Sequence, residues 1–293
     1  MNPHQLEALQ NVHAKGLKMH LRIVDVHGTT FRVATLRAST RVRFSTNYFH
    51  DTWHILTDGE GARLFARLLW ALSFQRAPGT CVLIDAPHMT STPFEADPAL
   101  PVLLMRDDLA SADPDRLRFL RARLRERADG GGRHADGAPN SMTIRFHTFG
   151  MPENVRAWHD ARIPPARHYE DEKLLFAREK MSRISGFIVY SAPAEILREH
   201  ALSIHHMRGG KYADYLYLAE GVRARWSHSP PGEIQVFQHF KDMVSAAKVA
   251  RHEIIGTEAD SRMMADADEQ FRVHRRAEHA RARLVRARRP SSA

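Results

Sequence analysis

Residues 1–16 are predicted to contain a short helix. After it, the alternation of apolar and polar residues predicts β-structure. Between Met19 and Leu56, short alternating runs are separated by polar or glycine-containing turns such as His27–Gly28. Runs of this kind are typical of antiparallel strands that bury one face. The pattern therefore predicts an N-terminal antiparallel meander of three or four strands.

A helix that leads into a buried strand is predicted next. Large apolar residues recur at helical spacing between Leu64 and Leu72, which indicates a helix with one face in the core. Pro78–Gly79 interrupts the helix, and Cys81–Ile84 is a short apolar run that suits a strand buried on both faces. A helix followed by such a strand is typical of an α/β arrangement.

The acidic residue that ends this strand is the first candidate for chemistry. Ligand sites in α/β proteins often lie at strand ends, so Asp85 and the neighbouring His88 are candidate catalytic residues. The competing interpretation is structural, because an aspartate shortly before Pro87 commonly forms a turn.

Further strands and helices are predicted in the second half of the chain. Strands are predicted at 142–149, 187–190 and 212–218, and helices at 170–185, 193–207 and 233–255, with residues 151–169 irregular. Periodicity leaves Val236 and Phe237 open, because they could instead finish a strand. From Glu258 an Ala-, Glu- and Arg-rich segment predicts a long basic helix that ends at Pro290.

These elements predict an α/β or α+β fold with a mixed sheet, flanking helices and a long basic C-terminal helix. The segment 130–141 is rich in glycine and polar residues, which is typical of a linker or loop. We therefore expect an N-terminal half (1–129), a C-terminal half (142–256) and a basic helical tail (257–293).

Composition limits the class of protein. A chain of 293 residues with 43% hydrophobic and 26% charged residues can bury a substantial core. One cysteine excludes a disulfide framework. We find neither an apolar leader nor a run long enough to span a membrane, so we expect a soluble cytoplasmic protein.

The positive charge of the chain is concentrated at its C-terminal end. Eight arginines and one glutamate lie after residue 270, which gives +7 of the total net charge of +9 and leaves +2 for residues 1–270. The arginines are candidate nucleic-acid-binding residues: Arg272, Arg275, Arg276, Arg281, Arg283, Arg286, Arg288 and Arg289. A solvated helix or tail without a dedicated partner is the alternative.

Nineteen histidines raise the question of metal binding. His50 and His54 are the candidate metal ligands, because residues four apart on a helix share a face and Asp51 could add a carboxylate. The residues around them favour a strand, however, on which positions four apart are separated by roughly 13 Å.

The leading functional expectation is that the Arg-rich tail contacts nucleic acid or an acidic protein. One alternative is a metal-assisted hydrolase that uses His50, Asp51 and His54 or an acid at Asp85. A second alternative is a subunit whose C-terminal helices pack on a partner in a larger assembly. The sequence contains no G-x-S-x-G elbow or phosphate-binding loop, and it identifies no cofactor.

Overall fold

The computed structural model describes most of the chain. The described residues are 16–129, 141–161, 169–209, 213–219, 232–255 and 273–280. The strands are β1 (Leu17–Val26), β2 (Thr29–Leu36), β3 (Phe44–Phe49), β4 (Thr52–Thr57), β5 (Thr80–Ile84), β6 (Val102–Arg106), β7 (Ser141–Phe146), β8 (Lys180–Ile184), β9 (Phe187–Ala192), β10 (Asp214–Leu218) and β11 (Gly232–Val236). The helices are α1 (Gly59–Ser73), α2 (Pro114–Asp129), α3 (Met151–Ala161), α4 (Tyr169–Ala177), α5 (Ala194–His205) and α6 (Phe240–Ile255), and residues 273–280 are also helical.

The strands form two mixed sheets. The larger sheet has seven strands in the order β7-β1-β2-β5-β6-β9-β8, and the smaller sheet has four in the order β10-β11-β4-β3. Two neighbouring pairs in the larger sheet are parallel, β2 with β5 and β6 with β9, and the others are antiparallel. Strands from before and after residues 130–140 therefore share one sheet.

Different helices pack on the two faces of the seven-stranded sheet, and β1 contacts both groups through alternate side chains. Leu17 and Met19 point into the main core, which α1 and α5 complete by packing on that face. Val24 and Val26 have the opposite parity and pack beneath α2. Because the pairing of β1 has no interruption, its even-numbered residues all lie on the α2 side.

The four-stranded sheet packs one face against the same main core. Ile55 of β4 and Ile234 of β11 belong to that core. On the opposite face, Leu56 packs against Phe240 and Met243 of α6. Segment 273–280 then packs on α6, because Val273 and Ala277 are buried against Ala247 and Ala250.

The predicted mixed α/β class is confirmed, and the details differ in informative ways. The first two strands form the expected antiparallel pair, but β3 and β4 form a separate hairpin in the smaller sheet. The helix predicted at 170–185 ends at Ala177 and is followed by β8, and α3 occupies part of the stretch predicted to be irregular. The helix predicted at 233–255 begins only at Phe240, because Gly232–Val236 forms β11 beside β4.

The long basic C-terminal helix is not supported. Within 257–293 the structure describes residues 273–280, which are helical. The helix predicted within residues 1–16 and the segment 130–140 lie outside the described residues. No helix in the described ranges combines the length and the apolar character that crossing a membrane requires.

Candidate functional site

Asp85 lies just beyond β5, on the sheet face that α2 covers in part. Burial raises the pKa of its carboxyl group to about 6, and the nearby positive charge of Arg22 and a hydrogen bond from its own backbone amide oppose this rise. Within the described part of the chain, its carboxylate has no salt bridge. Asp85 is therefore a half-buried acid that the protein does not neutralise by direct pairing.

His88 does not join Asp85 in a shared site. The contact between them is a backbone hydrogen bond, in which the His88 amide donates to the Asp85 carbonyl at 2.7 Å. The ring is 1% exposed, and neither ring nitrogen has a hydrogen-bond partner among the described residues. Burial lowers the pKa of the imidazole, whereas the nearby carbonyl groups of Val42, Leu36 and Arg37 favour its protonated form without forming well-aligned hydrogen bonds.

His50 and His54 occupy different environments. His50 and Asp51 form the two-residue turn between β3 and β4, with positive φ angles of 49° and 59°. His54 is buried in β4, and burial followed by the charge of His50 lowers its pKa to about 4. In the described ranges, no three His, Cys, Asp or Glu side chains are grouped so that they could hold a metal ion. A metal site at His50 and His54 remains a prediction from the sequence.

Basic side chains are grouped on the α2-side face of the seven-stranded sheet, beyond the residues that pack beneath α2. We call this surface the basic face, and it is formed by Lys18, His20 and Arg22 of β1 and Arg145 of β7. The three residues of β1 share the parity of Val24, so they point to the α2 side beyond the part that α2 covers. Lys18 and Arg145 are directly opposite each other in the antiparallel register.

The charge arrangement of the basic face is unfavourable to the isolated protein. Like charges opposite each other on neighbouring strands are destabilising. Among the described residues, no carboxylate forms a salt bridge with Lys18, Arg22 or Arg145. The positive charge of Arg22 acts on Asp85, where it opposes the rise in pKa that burial causes. The face can attract a ligand that carries several negative charges.

A second group of titratable side chains is enclosed in the core. The Tyr190 hydroxyl donates to the Glu179 carboxylate at 2.7 Å and lies 2.8 Å from Nδ1 of His200. All three side chains are buried, and desolvation together with the charge of Glu179 raises the pKa of Tyr190 well above its usual value. Because the tyrosine hydroxyl satisfies both neighbours away from solvent, this network is structural.

Of the tail arginines, Arg275 and Arg276 fall within the described residues and are exposed. Arg276 donates to Glu253 of α6 at 2.9 Å, and Nδ1 of the neighbouring His274 lies 3.4 Å from Glu95. These contacts attach segment 273–280 to α6 and to the loop that contains Glu95. The other arginines predicted to bind nucleic acid lie outside the described residues: Arg272, Arg281, Arg283, Arg286, Arg288 and Arg289.

Sequence reasoning overlooked the basic face, although part of its signal was present. Lys18, His20 and Arg22 alternate with apolar residues, which already indicated a polar strand face with two permanent positive charges. The contribution of Arg145 required knowledge that it pairs with Lys18, which is 127 positions earlier in the chain (145 − 18), and no local pattern encodes that pairing. No sequence pattern joined Glu179, Tyr190 and His200, because their contacts depend on the pairing of β8 with β9 and on the placement of α5.

In comparisons with known proteins, no protein-family model, curated protein or solved structure matches this chain.

Proposed function

We propose that this protein binds nucleic acid through the basic face, and that the Arg-rich C-terminal segment adds a second cationic contact. The observation that carries the proposal is the placement of Lys18, Arg22 and Arg145 on one sheet face, beyond the residues that pack beneath α2, without a carboxylate salt bridge among the described residues. Most of the net charge lies in the tail, so charge alone would not have drawn attention to this face.

The spacing of the cations favours an extended polyanion over a small anion. Lys18 and Arg22 are four positions apart on one strand, which separates their backbones by roughly 13 Å. Arg145 lies on the neighbouring strand, roughly 5 Å from β1. One phosphate cannot bridge such an array, whereas successive phosphates of a nucleic-acid strand can each meet a cation and release bound counterions.

The test is a comparison of charge-matched variants in which fluorescence anisotropy measures the binding of labelled oligonucleotides across a salt series. The first variant combines Lys18→Ala, Arg22→Ala and Arg145→Ala. The control combines Arg156→Ala, Lys180→Ala and Lys248→Ala, three exposed cations on α3, β8 and α6. Both variants lose the same formal charge, so a difference in their affinity for the oligonucleotides shows that the position of the removed charges matters.

We expect the basic-face variant to bind more weakly and its dependence on salt to become shallower. Each lost phosphate contact reduces the slope of log K against log salt by roughly 0.7 to 0.9. The control variant should keep a slope close to that of the wild type. Equal behaviour of the two variants would contradict the basic face as the binding surface.

A third variant isolates the tail in the full-length chain by replacing Arg281, Arg283, Arg286, Arg288 and Arg289 with Gln. We expect it to lose part of the affinity because sequence-independent attraction grows with the number of phosphate contacts. If this variant alone lost binding, the tail rather than the sheet would be the contact surface.

A further inference from the structure

We infer that the basic face selects RNA over DNA, with the carboxylate of Asp85 accepting a hydrogen bond from a ribose 2′-hydroxyl group. This inference rests on the proposed nucleic-acid binding and assigns a specificity-determining residue to the same surface. It starts from a feature that phosphate binding leaves unexplained, namely an acid beside a group of cations.

The acid shares the surface with those cations. Cys81 and Leu83 of β5 pack beneath α2, and Asp85 continues their parity just after the strand ends. Arg22 of the basic face is close enough to favour the ionised form of Asp85. Asp85 therefore lies at the edge of the basic face, two strands away from β1.

The hydrogen bond that the Asp85 carboxylate receives within the described residues comes from its own backbone amide. The carboxylate is half-buried, and its pKa is raised because burial disfavours the charged form. Within the described residues no side chain donates a hydrogen bond to it. An acid on this face is a candidate for ligand contact, because the Arg22 charge and its own backbone amide offset its desolvation cost only in part.

A negative charge at this position would repel phosphate, so its partner in a bound nucleic acid must be a hydrogen-bond donor. The ribose 2′-hydroxyl is a donor that lies next to every phosphate of RNA and is absent from DNA. Amino groups on the bases are the other available donors, but they are present in both nucleic acids. The two possibilities therefore predict different effects of Asp85 on discrimination between RNA and DNA.

The experiment measures the affinities of full-length wild type, Asp85→Ala and Asp85→Asn for three single-stranded oligonucleotides of matched sequence. These are RNA, DNA and RNA in which fluorine replaces every 2′-hydroxyl, which removes the donor. Glu126→Gln is the control, because Glu126 is an exposed acid of α2 that pairs with Arg123 and its removal changes the net charge equally.

We expect wild type and Glu126→Gln to bind RNA more tightly than DNA and 2′-fluoro RNA. Hydrogen bonds to charged groups are strong enough that loss of this one should reduce the RNA-to-DNA affinity ratio of Asp85→Ala by about tenfold. Its affinity for DNA should stay the same or rise, because a repulsive charge has been removed. Asp85→Asn should give an intermediate ratio, since the amide retains an acceptor oxygen.

Each other outcome overturns the inference in a distinguishable way. An RNA-to-DNA ratio that Asp85→Ala leaves unchanged would remove Asp85 from discrimination, although binding through the basic face would stand. Equal loss of affinity for all three oligonucleotides would indicate contact with a base. Absence of salt-sensitive binding by wild type to every oligonucleotide would overturn the proposed function itself.

Discussion

At the scale of single residues, Tyr190 shows how a polar group can be stabilised within an apolar core. Its hydroxyl joins Glu179, which precedes β8, to His200 of α5, and Tyr190 itself belongs to β9. Each group would be costly if buried alone, but the three together satisfy much of one another's hydrogen-bonding capacity. The network therefore connects three consecutive elements through buried side chains.

Replacement of Tyr190 by Phe tests this role. The variant keeps the ring but leaves the buried Glu179 and His200 side chains without their shared partner, so we expect a loss of about 1–3 kcal/mol in the free energy of unfolding. Chemical denaturation provides the measurement. Tyr48→Phe is a matched control, because Tyr48 is exposed and its change should stay within about 0.5 kcal/mol. Similar losses in both variants would argue against a stabilising network.

At the scale of elements, the local sequence of α1 specifies both which face of the helix is buried and where the helix begins. Leu64, Phe65 and Leu68 are buried on one side as their spacing predicts. Asp58 is the N-cap, and its carboxylate accepts a hydrogen bond from the Gly61 amide at 2.8 Å. This bond satisfies an amide that the helix itself leaves without a partner.

Removal of this cap should destabilise the protein. We expect Asp58→Ala to lower the free energy of unfolding by about 0.5–2 kcal/mol, as measured by thermal or chemical denaturation. Asp58→Asn should restore most of the loss, because its side-chain oxygen can still accept from the Gly61 amide. A full loss in Asp58→Asn would instead assign the effect to the charge, which lies 3.5 Å from Lys241.

The elements also show which parts of the fold can be predicted from the sequence. Helix α1 and strand β5 were predictable, because spacing and a Pro78–Gly79 turn are local signals. The region after Ala177 was misassigned to helix, because its outcome depends on pairing of β8 with β9 through a Ser185–Gly186 turn of positive φ angles. Asp85 was predicted as a candidate at its strand end, whereas the grouping of Lys18 with Arg145 follows only from sheet pairing.

At the scale of the whole molecule, the seven-stranded sheet joins both halves of the chain around its centre. Strand β5 pairs with β2 on one side and with β6 on the other, and β6 pairs with β9 from the second half. Cys81, the single cysteine of the sequence, lies in this centre and is fully buried. Its thiol can therefore report on the opening of the sheet.

We expect the Cys81 thiol to be unreactive towards a thiol reagent in native buffer. Burial raises its pKa to about 12, so the nucleophilic thiolate is suppressed as well as inaccessible. The rate of modification should rise with denaturant in parallel with global unfolding, followed by absorbance of the released chromophore. Fully unfolded protein supplies the control for maximal reactivity. Rapid modification without denaturant would show that the sheet centre opens locally.

The pairing of β4 with β11 has a consequence for the order in which the chain can fold during synthesis. Trp53 pairs with Gly232, which is 179 positions later in the chain (232 − 53). At about 5–20 residues per second, β11 emerges from the ribosome roughly 9–36 s after β4. During that interval β4 lacks its neighbouring strand β11, and Leu56 lacks the α6 side chains on which it packs, so an open strand edge is exposed until late in synthesis.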